Sequence, residues 1–357
     1  MGLISNPPIL VGWKTTILGG DSPLVAIYYP QQVHTTDPVE CLPVLGEAYW
    51  STLENDMTNN DTHSTASDHA RLNPSQVDLV ARKMPFEFSD DIDPQWNKQK
   101  PEWSHMVNGA SLAMPFLEPF LIRTLRKSLS QIESTQLTQD VKGYIAQEGQ
   151  HFQQHRKFND TLIQHGHVDL IAIEQQMKKE FDDFEKKRSQ KFNLAYAAGF
   201  ESMALGIGHW LIEDREFLFG NSDSRVASLV LWHFVEEIEH KNVAIDAYNA
   251  VYGGYFYRVY GVFYATMHVI KHTRKAYKSM LTKDGLWSKL SSRWKLQKMI
   301  LRFYWKMIPH VWEACLPNHH PSKINDPKWC LDWLKKYESD HHSLALLDTG
   351  NMGSKCP

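Results

Sequence analysis

The 357-residue sequence predicts an all-α protein built around a four-helix bundle. Three observations predict it. From about residue 101 onward, apolar side chains recur at helical spacing. The stretches so marked are bounded by helix-stop glycines and by Asp, Asn and Ser start signals. Four of them carry a glutamate inside an otherwise apolar run, which a bundle can bury and a surface helix need not. In order, the first stretch runs from about 105 to 130, with Leu112, Phe116, Phe120, Leu121 and Leu125 on one face, and Pro115 and Pro119 predict a kink or a late start. A second covers about 138–165 and stops near Gly166. A third, about 169–214, breaks into two helices near the charged EKKRSQK segment. A fourth follows the cap candidates Asn221, Ser222 and Asp223 and continues to about Tyr252, before Gly253-Gly254. Helices over about 255–280 and 287–307 come next, and Asp326-Pro327 opens a short last one. The aromatic stripe Tyr255, Phe256, Tyr257, Tyr260, Phe263 and Tyr264 reads as core. Residues 1–78 lack helical periodicity and read as an irregular arm, with LVAIYY (24–29) a candidate strand and 55–68 a polar loop. The organisation expected is therefore an arm over 1–78, a bundle over 79–252 and a helical extension over 253–357 packed on it.

Composition removes several classes of function. A formal net charge of −3 gives no electrostatic case for nucleic-acid binding. The four cysteines, Cys41, Cys315, Cys330 and Cys356, form neither a CxxC pair nor a disulfide framework, as in a reducing compartment. The N-terminus has prolines where a signal peptide needs its apolar run, and the longest apolar stretch, about 259–270, falls short of the ~20 residues a bilayer span takes. A cytoplasmic protein is expected. Its 18 histidines direct attention to metal ligands.

The four bundle glutamates are Glu118, Glu148, Glu201 and Glu237. Two of them begin a Glu-x-x-His, Glu148 with His151 and Glu237 with His240, and positions i and i+3 of a helix share a face. With 19 Glu and 18 His, ExxH arises about once by chance, and the chain has four; the pairs at Glu102 and Glu338 lie at a segment edge and in the polar tail. A Glu from each of two helices and an ExxH from each of two others is the dinuclear iron or manganese carboxylate pattern. Here the order is Glu, ExxH, Glu, ExxH, with 30, 53 and 36 residues between successive glutamates. Glu201, in LAYAAGFESMALGIG, is a carboxylate among small apolar residues whose burial demands a compensating charge. His233 stands one turn before Glu237 and is the seventh candidate ligand. Gln147, Glu236 and His155 are candidates for the shell that orients the ligands. Phe116, Leu117, Phe200 and Phe234 are candidates for a dry pocket.

The stretches ARKMPFEFSDDIDPQWNKQKPEWSHMVNGASLAMPFLE (81–118), YIAQEGQHFQQHRKFND (144–160) and CLPNHHPSKIND (315–326) resemble the bacterial family described as predicted metal-dependent hydrolase. Members look like ferritin-like helical proteins, so the resemblance implies a ferritin-like four-helix bundle with additional C-terminal helices. The chain departs from the family at Leu117, where glycine is usual, and at Pro119. The spacing of His233, Glu237 and His240 also resembles that of the non-haem di-iron N-oxygenases of arylamines, which implies the ligand set Glu118, Glu148, His151, Glu201, His233, Glu237 and His240.

The function expected from this reading is a di-iron oxygenase, an oxidoreductase that activates O₂ to hydroxylate, N-oxygenate or desaturate a small organic substrate. Its cofactors would be two iron ions (Fe²⁺/Fe³⁺), with manganese or zinc as lesser alternatives, and its partners a small-molecule substrate, O₂ and an electron donor. The alternatives are a metal-dependent hydrolase using a metal-bridging hydroxide, an iron-handling protein, and a non-catalytic helical protein. Aromatic and basic residues over 255–280 make peripheral membrane contact an open expectation, and a homodimer is another.

Overall fold

The computed structural model describes residues 79–354 and 357. The arm over 1–78, its candidate strand and loop, Cys41 and Cys356 lie outside the described residues. The described residues contain helices, turns and no strand. They form α1 (Pro101–Ser111), α2 (Met114–Ser128), α3 (Thr135–Gln164), α4 (Asp169–Lys187), α5 (Gln190–Glu213), α6 (Arg215–Phe219), α7 (Ser224–Glu239), α8 (Val243–Val251), α9 (Tyr255–Lys283), α10 (Leu290–Ala314) and α11 (Lys328–Leu344).

Local chemistry accounts for the boundaries. The first predicted stretch is two helices, because Pro115 falls in the first turn of α2, where a missing N–H costs nothing. Ser134 caps α3 by accepting from the Leu137 amide, and Gly166, with φ 82°, ends it. Ser189 accepts from Phe192 N to open α5, and Asp223 from Arg225 N to open α7. The fourth predicted helix is broken. α7 stops at Glu239, His240 is its C-cap, and α8 restarts at Val243. The turn between them is held from outside by Lys241, whose ammonium reaches Ile324 O at 2.6 Å and the Asp326 carboxylate.

Helix α2 packs along α3 and α5 along α7, so the four glutamate-bearing helices surround one interior. α5 is the hub. It is apolar all round and buried all round, as such a helix must be. Its glycines let neighbours approach closely, the α9 backbone at Gly199 and α10 side chains at Gly206. A Cβ on Gly199 would stand 2.4 Å from the Gly261 carbonyl of α9, and one on Gly206 would stand 2.9 Å from Met307 of α10. Beside α5, the rings of Phe120, Phe181, Phe184 and Tyr196 pack at centroid spacings of 5.3–6.2 Å. The aromatic stripe of α9 departs from the core reading. Tyr255, Phe256, Tyr260 and Phe263 are exposed, because α9 seats itself on α5 through Gly261, Val262 and Ala265 on its other side. No described helix is long and apolar enough to cross a membrane.

Candidate metal centre

Between the four helices, Glu118 (α2), Glu148 and His151 (α3), Glu201 (α5), and Glu237 and the C-cap residue His240 (α7) are buried, as is His233, one turn before Glu237. Two groups of donor atoms result. Glu148, His151, Glu237 and His240 each offer an atom within 4.8 Å of the others, and so do Glu118, His155 and His233. His151 Nδ1 lies 3.8 Å from both Glu148 Oε2 and Glu237 Oε1. His240 Nε2 lies 3.5 Å from Glu148 Oε1 and 3.7 Å from Glu237 Oε1, while its Nδ1 faces Glu201 Oε2 at 3.5 Å. His233 Nε2 is 3.2 Å from Glu237 Oε1, which places Glu237 between the two groups. Most of these separations are too long for hydrogen bonds. They are close to the ~3.0–3.4 Å between two atoms that each stand about 2.1 Å from one ion.

The hydrogen bonds around the centre decide which imidazole nitrogens carry protons. Asn159 Nδ2 donates to the Ser111 carbonyl, so its Oδ1 accepts from the Ser111 hydroxyl at 2.7 Å. Ser111 Oγ must then accept from His155 Nδ1, 2.8 Å away, which leaves His155 Nε2 as an acceptor. That atom is 2.8 Å from His233 Nδ1, so the His233 proton sits there and its Nε2 lone pair faces Glu237. Likewise His151 Nε2 donates to Glu236 Oε2 at 2.9 Å, and Nδ1 is the nitrogen left toward Glu148 and Glu237. Glu236 is fixed in turn by Arg82, which donates to its Oε1 at 2.9 Å and grips Glu239 with both terminal nitrogens at 2.7 and 2.9 Å. Tyr144 donates to Glu201 Oε1 at 2.7 Å.

The residues present fit metal ions, and the orphaned atoms show why. Both oxygens of Glu118, Glu148 and Glu237, Oε2 of Glu201, Nδ1 of His151 and both nitrogens of His240 are buried without a hydrogen-bond partner. Folded proteins pair nearly all such atoms. Their electrostatics agree. Burial, then the charges of Glu148 and Glu201, push the Glu118 carboxyl well above the usual range; burial, Glu201, Glu148 and Glu118 do the same to Glu237. Burial opposes protonation of His151, but the neighbouring Glu148 and Glu236 carboxylates prevail and raise it to about 10, so Nδ1 must lose its proton before it can bind an ion. Burial, then nearby imidazoles, lowers His155 to about 3 and holds His233 well below its usual value. A cluster of carboxylates and lone pairs facing one another is relieved by cations at its middle. A third group, Glu180 with His268 and His272, differs. Each Glu180 oxygen is already bonded, one to Gln176 and Lys271, the other to the two imidazoles, so no charge is left uncompensated.

All seven predicted ligand positions converge on this interior. Of the three orienting candidates, Glu236 contacts His151 and His155 contacts His233, while Gln147 donates instead to Glu239 at 2.6 Å and to Val80 O, outside the centre. Of the dry-pocket candidates, Leu117 and Phe200 are buried, and the Phe234 ring lies 5.0 Å from His233. Sequence reasoning missed Arg82, Glu239, Tyr144, Ser111 and Asn159. Tyr144 was findable, one helical turn before Glu148. Arg82 was not, since 154 residues separate it from Glu236.

A helical bundle with buried groups of carboxylates and imidazoles of this kind is suited to holding metal ions. The family model described as predicted metal-dependent hydrolase matches residues 80–325, and the chain belongs to that family. No curated protein and no solved structure matches it. The family overturns the expectation of an O₂-activating di-iron oxygenase and oxidoreductase, and it favours the hydrolase alternative. The physical reason for the error is that ligand spacing encodes where ions sit. It does not encode whether the bound water or bound O₂ reacts.

Proposed function

We propose that the protein is a metal-dependent hydrolase with a dinuclear centre formed by Glu118, Glu148, His151, Glu201, His233, Glu237 and His240. The observation that carries this reading is the pair of adjoining, buried donor groups bridged by Glu237, in a chain of this family. When bound, divalent ions held by these residues would supply an acidified water and polarise the scissile group of a substrate. The chain's own residues do the rest. Four carboxylates offset the charge of two such ions. With carboxylates and imidazoles and no thiolate among the donors, the set suits iron, manganese or zinc. Arg82 and Glu236 hold His151 with its Nδ1 lone pair inward, and Asn159, Ser111 and His155 do the same for His233 Nε2. Because burial keeps His155 neutral, it stays an acceptor for the His233 proton at ordinary pH. Tyr144, whose phenol is kept protonated by burial and by Glu148, pins Glu201 and lays its ring edge on His240 at 4.7 Å. The Trp232 ring edge closes the far side of His151 at 4.8 Å and excludes solvent there.

The test is metal content and hydrolysis measured together. The purified protein, assayed without O₂ or reductant on chromogenic carboxylic and phosphoric ester panels, should cleave one class. Glu201→Ala with Glu237→Ala should lose both metal and activity. Two bound metals without any hydrolysis would overturn the reaction, and hydrolysis surviving in the double variant would overturn the site.

A further inference from the structure

We infer that the outer face of α10, together with that of α9, is a docking surface for an anionic lipid bilayer. Six large apolar residues of α10, Leu290, Trp294, Leu301, Trp305, Ile308 and Trp312, are each more than half exposed, and Leu290 and Trp305 are 80% exposed. At 100° per residue they fall within an arc of about 60°. The buried Leu296, Met299 and Met307 lie on the opposite side, against the body. The helix therefore has two apolar faces and needs only one of them for folding. Exposed patches of this size mark interaction sites.

Charge selects the partner. Lys295, Lys298, Arg302 and Lys306 border the stripe along one side, and Glu313, near the C-terminus, is the sole acidic residue of α10. Arg302 and Lys306 reach Asp214 and Glu213, whereas Lys295 and Lys298 pair with no acidic side chain among the described residues. Protein interfaces are depleted in lysine and carry both signs at the rim. Tryptophans flanked by lysine and arginine on one helix suit the headgroup region of an anionic membrane instead.

α9 extends the surface. Phe256, Tyr260, Phe263 and Met267 are exposed and also fall within about 60° of arc. α9 meets α5 at Gly199 and α10 meets it at Gly206, two turns apart on one side, so the outer faces of both look away from α5. Arg258 ties their ends by donating to the Ala314 and Leu316 carbonyls, which brings the Phe256 end of one stripe beside the Trp312 end of the other. The helices lie along the surface rather than cross it, since none is long and apolar enough to span. The sequence directed this expectation to residues 255–280; the structure puts its centre on α10.

The intact protein should co-sediment with phosphatidylcholine vesicles that contain phosphatidylserine, far less with phosphatidylcholine alone, and less as salt rises. Trp305→Glu with Trp312→Glu should weaken the partition by about tenfold or more. Lys295→Glu with Lys298→Glu should weaken binding to the anionic vesicles alone. These side chains are exposed, so far-ultraviolet dichroism and melting should be unchanged and folding is controlled for. Absence of pelleting with anionic vesicles, or equal binding to both vesicle types, would overturn the proposal. So would a lipid-free dimer in sedimentation velocity that Trp305→Glu dissociates, which would assign the stripe to a second copy of this chain.

Discussion

Substituting Glu236→Gln removes one charge, adds no volume and leaves every proposed metal ligand in place, yet it should disable the centre. Glu236 accepts from Arg82 through Oε1 and from His151 through Oε2, both at 2.9 Å, and the group is fully buried. Glutamine can satisfy only one of these donors. If its amide nitrogen faces Arg82, two donors collide in a buried site. If it faces His151, the imidazole must accept at Nε2 and carry its proton on Nδ1, the nitrogen directed at Glu148 and Glu237. Either outcome penalises the metal-ready form of His151. Loss of a partner that orients a metal-bound histidine typically costs 10- to 100-fold in affinity, about 1.4–2.7 kcal/mol. Competition against a chromogenic chelator measures the change directly, and melting of the chelator-treated protein confirms that the variant folds. Glu239→Gln is the control, because Glu239 grips Arg82 and Gln147 but does not touch His151. Unaltered affinity in a folded Glu236→Gln protein would refute the tautomer reasoning.

Further outcomes follow from the same geometry. In the metal-free protein, Glu118 and Glu237 have carboxyls raised above their usual 4.5, so the folded state binds protons that the unfolded state has released. The contribution of these two carboxyls to stability should therefore be full below about pH 4.5 and decline as pH rises, read from the difference in melting temperature between the metal-free wild type and Glu118→Gln against pH. Metal needs ionised carboxylates, so its binding should release protons, tighten as pH rises and add about 2.7 kcal/mol at a free concentration 100 times the Kd. A difference that does not grow with pH would contradict the carboxylate repulsion. Glu118→Gln should stabilise the metal-free protein at pH 8 by about 1–4 kcal/mol while weakening stabilisation by added metal; destabilisation of both forms would sink this. Gly261→Ala would place its Cβ 2.0 Å from the Ala195 carbonyl oxygen, so α9 must lift from α5. Despite about 1 kcal/mol of helix propensity gained, a net loss of about 1–3 kcal/mol is expected in urea unfolding, and no loss would show the crossing to be loose.

What the sequence determined by itself was local. Helix geometry alone brings Glu148 toward His151 and aligns His233 with Glu237, so the donor positions were legible as spacings of three and four. The prolines, caps and glycines that bound the helices act within one turn and were legible for the same reason. The break at His240 was not, because the tie that holds it comes from Lys241 reaching Asp326, 85 residues away. Nor was the orientation of the centre. Which nitrogen of His151 or His233 is free depends on Arg82, Glu236, Ser111 and Asn159, which only the packing of other segments brings there. The stripes of α9 and α10 make the same point. An apolar run at helical spacing reads alike whether it faces a core or a solvent. Only the close approach of Gly199 to Gly261 turns one side of α9 inward and leaves Phe256 and Phe263 outside. Periodicity is a property of one helix, whereas burial and proton position are properties of its neighbours.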